Sequence, residues 1–175
     1  MAAQTNIFRP LRMGKEIFHP QSYDESSFVM NYTLEKGGMV PPHLHVHMDE
    51  YFSVVRGEMR FIVNGETIIK KAGEEIMVPK GVKHAIKNAG HEQVEMNVTY
   101  VPCADTHRLF EVVAAFDEKD PGKMMNMIKA FYICMALNVK EFSAPQPAFI
   151  GAVLKGIVLV MGKFGGWKKY VSQFK

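Results

Sequence analysis

The chain has 175 residues, 47% hydrophobic and 22% charged, the size and composition of one globular domain with its own core, which argues against a disordered or wholly membrane-embedded polypeptide. Its formal charge of +3 is uneven: residues 151–175 hold five lysines (Lys155, Lys163, Lys168, Lys169, Lys175) and no acid, so taking +5 from +3 leaves −2 on the other 150. A body of that sign offers no basic stripe, which speaks against nucleic-acid binding by phosphate neutralisation.

The first residues, MAAQTNIFRPLRMG, lack the apolar stretch of a secretory leader, and Cys103 and Cys134 stand alone without CxxC spacing. The expectation is a cytoplasmic protein whose two thiols are reduced and serve as small buried hydrophobes. From about Phe28 to Val101, short segments alternate with period two between turn residues, the pattern of an all-β fold. Phe28, Met30, Tyr32 and Leu34 share one face of the first of these segments. Asn64-Gly65 predicts a type I′ hairpin between FIV and ETIIK, because both central residues must accept positive φ. Val94, Met96, Val98 and Tyr100 mark the buried face of the last strand. Such short strands hide their edges by closing on themselves, so the expected architecture is a β-barrel or sandwich.

After Thr106 the period becomes helical. Leu109, Phe110, Val113 and Phe116 form one stripe, and Asp120-Pro121 supplies a cap and a first-turn proline for a second stripe of Met124, Met127, Ile128, Phe131 and Met135. Pro145-Gln146-Pro147 then breaks the chain before a third helical segment, Ala148 to Phe164, which ends at Gly165-Gly166. The expected division is 1–105 for the barrel and 106–175 for a helical C-terminal extension.

Chemistry concentrates in GGMVPPHLHVHMDEYFSVVRGE. His43 and His45 lie two apart and project from one face of an extended strand, as two imidazoles must to reach a single ion. His84 follows in GEEIMVPKGVKHAIKN, after a proline-glycine turn. The first stretch fits the pattern Gly-x5-His-x-His-x4-Glu-x6-Gly at Gly37, His43, His45, Glu50 and Gly57. The second fits Gly-x5-Pro-x-Gly-x2-His-x3-Asn at Gly73, Pro79, Gly81, His84 and Asn88.

On these ten positions, within a core of residues 27–101, the chain resembles the cupin superfamily, and specifically its small single-domain microbial members. The resemblance implies an all-β fold, a jelly-roll β-barrel of six to eight strands, with a metal held by His43, His45, Glu50 and His84. Strand parity alone does not place Glu50 there. It lies five residues from His45 and would face the other way in an unbroken strand, whereas His47 and Asp49 would share the histidine face. A bend within Val46 to Asp49 is therefore required for Glu50, with Asp49 as the alternative ligand and His47 as a rim or supporting group.

Three imidazoles and one carboxylate suit Fe, Mn, Ni, Cu or Zn. Family resemblance points to a dioxygenase-like enzyme acting on a small organic molecule, with Glu50 doubling as a base. Parity puts Tyr32, Phe52, Met96, Val98 and Tyr100 inside, a lining suited to an apolar or aromatic substrate. A non-catalytic binding module and an isomerase of the same fold stay open as alternatives. For the tail, packing against the barrel or a second subunit of a homodimer is preferred to peripheral contact with a membrane, although its apolar stripe and lysines resemble an interfacial anchor.

Overall fold

A computed structural model describes residues 7–117, 123–139, 144–145 and 147–174. Eleven strands occur among them: β1 Leu11–Met13, β2 Glu16–Tyr23, β3 Phe28–Leu34, β4 Met39–Leu44, β5 Asp49–Arg56, β6 Glu58–Val63, β7 Glu66–Lys71, β8 Glu75–Val78, β9 His84–Lys87, β10 Val94–Val101 and β11 Ala144–Pro145. The helices are α1 Thr106–Asp117, α2 Met124–Ala136, α3 Ala148–Phe164 and α4 Lys168–Val171, the last followed by a 3-10 turn at Ser172–Phe174. The predicted cap at Asp120-Pro121, residue Gln146 of the proline break and Lys175 lie outside the described residues.

The strands form two antiparallel sheets, one ordered β1-β2-β3-β10-β5-β8 and the other β11-β4-β9-β6-β7. No ladder joins the two among the described residues. The expected closed barrel is therefore corrected to a two-sheet jelly-roll sandwich carrying helices, mostly β rather than all-β. The physical reason is that inward-facing side chains hold the layers together while the edge strands stay unpaired across the gap. Leu34, Phe52, Phe61, Val94 and Met96 are among the residues buried between the layers.

Local sequence accounts for the strands. In β3 the even positions are buried, from Phe28 to Leu34, and in β10 Val94, Met96 and Val98 are buried opposite them. Asn64 and Gly65 have φ of 51° and 91° and close the β6–β7 hairpin, as the type I′ turn requires. Strands β1 and β2 extend the six-stranded sheet beyond the region where alternation is obvious, and β2 brings Glu16 and Phe18 towards the interior.

The helices differ in how they are used. Phe110, Val112, Val113, Ala114 and Phe116 of α1 and Ala130, Ile133 and Cys134 of α2 join the main core. Cys103 and Cys134 are buried and unpaired, and burial pushes the Cys134 thiol up to about 12. Strand β11 pairs with β4 at Leu44 and His43, so the tail is laid beside a histidine-bearing strand before α3 departs. In α3 only Gly162 is buried, against the ring of Tyr132 from α2.

Candidate metal centre

Two local irregularities aim the histidines inward. Between β4 and β9 the register steps from Val40↔Ile86 to His43↔His84, so three residues on β4 span two on β9. The extra residue falls at Pro41-Pro42, where prolines cannot complete the ladder, and the bulge turns His43 to the face already occupied by Val40. The chain then leaves β4 after Leu44 and enters β5 at Asp49, which belongs to the other sheet. That crossing resolves the parity problem: residues 45–48 are not strand, and Glu50 lies on the inward face of β5 with Phe52 and Val54.

The crossing is tied to the turn that precedes β9. Gly81 N donates to His45 O at 2.7 Å, and Lys80 N donates to the Asp49 carboxylate at 2.8 Å. Gly81 has a φ of 76°, which a side chain would resist. These two bonds fix the loop carrying His45 and the loop leading to His84 against each other, and they assign Asp49 to holding the loop rather than to the cluster.

His43, His45, Glu50 and His84 are all buried, and one candidate ligand atom from each lies within 4.8 Å of every other. His43 Nδ1 donates to Pro41 O at 2.8 Å and His84 Nδ1 donates to Val82 O at 3.0 Å, which leaves both Nε2 atoms directed inward. His84 Nε2 is 2.9 Å from Glu50 Oε2. His45 Nε2 stands 3.3 Å from the same oxygen, yet neither ring nitrogen of His45 has a hydrogen-bond partner although both are buried. A buried imidazole that makes no hydrogen bond is costly in a closed core, and its two free ring nitrogens suit a residue that could ligate an ion. The donor set and this orphaned ring both fit a divalent metal.

The electrostatics agree. Burial and the neighbouring His84 hold the His43 imidazole down at about 4, so it is neutral at ordinary pH, as a ligand must be. Burial pushes the Glu50 carboxyl up, but the facing imidazoles of His45 and His84 outweigh it and keep the group well below the usual carboxylate range. Burial pulls His84 down, and its hydrogen bond to Glu50 more than compensates, so its pKa is raised.

The cluster opens onto a cavity of about 540 Å³ lined mainly by apolar groups. Tyr32, Phe52, Val98 and Tyr100 line it, as parity predicts. Met96 is buried in the core behind that wall, and His47 is exposed on the 45–48 crossing, so neither reaches the cavity. Among the lining residues that escape sequence reasoning are Glu16 and Phe18 from β2, Leu109 and Phe110 from α1, and Ile150 and Leu154 from α3. The Glu16 carboxylate accepts a hydrogen bond from the Tyr32 hydroxyl at 3.0 Å, and burial pushes its pKa up to about 7. Glu16 also borders a second, smaller pocket of about 440 Å³ and so lines both. The inward alternation of Glu16, Phe18 and Pro20 was the available signal.

Residues 30–101 match the family model described as a cupin domain. The chain is 28% identical over 79 residues to "Polyketide synthase CurC" of Streptomyces cyaneus, covering 45% of this chain and 51% of that one. It is 29% identical over 87 residues to "Tetracenomycin polyketide synthase protein TcmJ" of Streptomyces glaucescens, covering 50% and 58%. The chain thus spans little more than half the length of these two relatives. Among solved structures, the cupin domain of Schizosaccharomyces pombe Cnp3 superposes with a TM-score of 0.51 at 22% identity, covering 57% of this chain and 74% of that one.

Proposed function

We propose that this chain, whose residues 30–101 match the cupin domain, is a metal-dependent enzyme acting on a small apolar or aromatic molecule, with dioxygenase-like chemistry. The observation that carries the reading is the buried cluster of His43, His45, Glu50 and His84 at one end of a largely apolar cavity. These four residues would hold one divalent ion of Fe, Mn, Ni, Cu or Zn. Such an ion supplies Lewis acidity and, if redox-active, electron transfer to dioxygen.

The chain's own groups do the rest. Phe52, Val98 and the helix residues Leu109 and Phe110 exclude water and orient an apolar ring. Glu50 is ionised at any ordinary pH and is the residue proposed to take a substrate proton, while the Glu16–Tyr32 pair can hold or release a proton near neutrality on another part of the wall. Similarity to two proteins named for polyketide synthesis supports substrates with enolisable ketones or phenolic groups. That step is an analogy between relatives.

A non-catalytic ligand-holding module is the second reading, favoured by one observation: the imidazoles that keep Glu50 ionised also make it a weak base. Metal analysis of untagged protein, followed by oxygen uptake with a panel of enols and phenols, separates the two. The enzyme reading expects bound metal and uptake with at least one compound, lost on His43→Ala. An Fe(II)-loaded protein that binds a phenol without consuming oxygen would establish the module instead.

A further inference from the structure

Helix α3 carries an apolar strip that nothing among the described residues covers. Phe149 is 68% exposed, Val153 58%, Val160 56% and Phe164 83%, and Ile157 is exposed between them. At about 100° per residue these positions fall on one side of the helix, opposite the side where Gly162 meets Tyr132. Lys163 borders the strip, and Lys168 and Lys169 follow on α4, all exposed, whereas Lys155 falls on the side of Gly162, away from the strip. Residues 147–174 contain no acid.

We propose that this face docks on an anionic membrane surface, with α3 lying in the plane of the interface and Lys163, Lys168 and Lys169 among the lipid headgroups. Charge decides between this occupant and a second copy of the chain. In a twofold interface that sets this segment against itself these lysines would meet no acid, since residues 147–174 of the second copy hold none either. Acidic headgroups meet an apolar strip with lysines at one edge and beyond its C-terminal end favourably, because the strip enters the acyl boundary while the ammonium groups stay in the polar layer. No single helix among the described residues is long and apolar enough to cross a membrane, and α3 turns through 94° into the Lys168–Phe174 segment.

The position of the strip ties docking to the cavity. Ile150 and Leu154 line the metal-facing cavity and are also 40% and 47% exposed, so they stand at its mouth. A docked bilayer therefore abuts the opening through which an apolar ligand would enter. Docking itself does not depend on catalysis or on metal.

The test is co-sedimentation of the full-length, metal-free protein with vesicles of phosphatidylcholine alone and of phosphatidylcholine with phosphatidylglycerol, at low and high salt. The expected result is at least tenfold tighter binding to the anionic vesicles, weakened by salt. Val153→Asp with Val160→Asp abolishes it, and Lys163→Glu with Lys168→Glu removes the preference for anionic lipid. Both pairs lie at exposed positions, and an unchanged far-ultraviolet circular dichroism melt confirms that the variants fold. Failure to bind either vesicle overturns the proposal. So does a dimer in sedimentation velocity that is dispersed by the aspartate pair without any lipid binding, which would make a second copy the occupant.

Discussion

His84 Nε2 and Glu50 Oε2 meet at 2.9 Å although they belong to different sheets, His84 opening β9 and Glu50 lying on β5. Together with the 3.3 Å approach of His45 to the same oxygen, this contact spans the gap between the layers at the point where the candidate ligands converge. In the metal-free protein it is a buried charge pair, stabilising only while both members are present.

Removing one member should therefore be costly. His84→Ala leaves the Glu50 carboxylate buried without its principal partner, and the metal-free protein should lose about 3–5 kcal/mol in urea denaturation. Metal content by mass spectrometry should fall to background in the same variant. A destabilisation below about 1 kcal/mol would show that Glu50 is solvated or protonated in the folded state.

Asp49 acts one step away from the cluster. Asp49→Ala removes the acceptor of the Lys80 amide and frees the 45–48 crossing from the turn before β9. The expected effect is about a tenfold loss of metal affinity by calorimetry with the fold intact, the size typical of groups that orient ligands. Unchanged affinity would mean that the Gly81–His45 bond alone holds the loops.

The pH dependence of stability should carry the signature of Glu16. Its folded-state pKa is raised from 4.5 to about 7, so the folded form binds the proton more tightly than the unfolded form. The resulting stability is fully present below about pH 4.5 and is lost as pH rises through about 7, at a slope of up to about 1.4 kcal/mol per unit between those limits. Glu16→Gln should flatten this part of the profile relative to the wild type in urea melts from pH 4.5 to 8. Parallel profiles for the two proteins would show that Glu16 is ionised in the cavity wall.

Close packing of α3 on α2 rests on one small residue. A Cβ at Gly162 would run into the Tyr132 ring, so Gly162→Ala must displace that ring or one of the two helices. Helix propensity alone would favour alanine by about 1 kcal/mol. A melting temperature that falls, and recovers when Tyr132→Ala is added, identifies the contact. A rise would show that α3 sits further from α2.

Much of the site can be read along the chain because its parts are local. The ten motif positions, the type I′ turn at Asn64-Gly65 and the buried face of β10 follow from spacing and from residues that accept positive φ. The crossing of residues 45–48 is less legible. Parity shows only that an unbroken strand fails to place Glu50, and the bulge at Pro41-Pro42 leaves no periodic trace. Glu16 was missed because β2 has a polar residue at its inward start and an irregular register with β3 at Pro20 and Ser22.

What the sequence determined by itself is therefore the set of strands, the turns between them and the residue types able to hold an ion, since each depends on neighbours a few positions apart. Only the tertiary structure decided that the sheets stay open as a sandwich, how the 45–48 crossing turns Glu50 towards the histidines, that Glu16 enters the cavity wall and that the strip on α3 is left exposed by the described residues. Those outcomes depend on which layer each segment enters, and layer assignment is set by packing between distant parts of the chain, which no local period encodes.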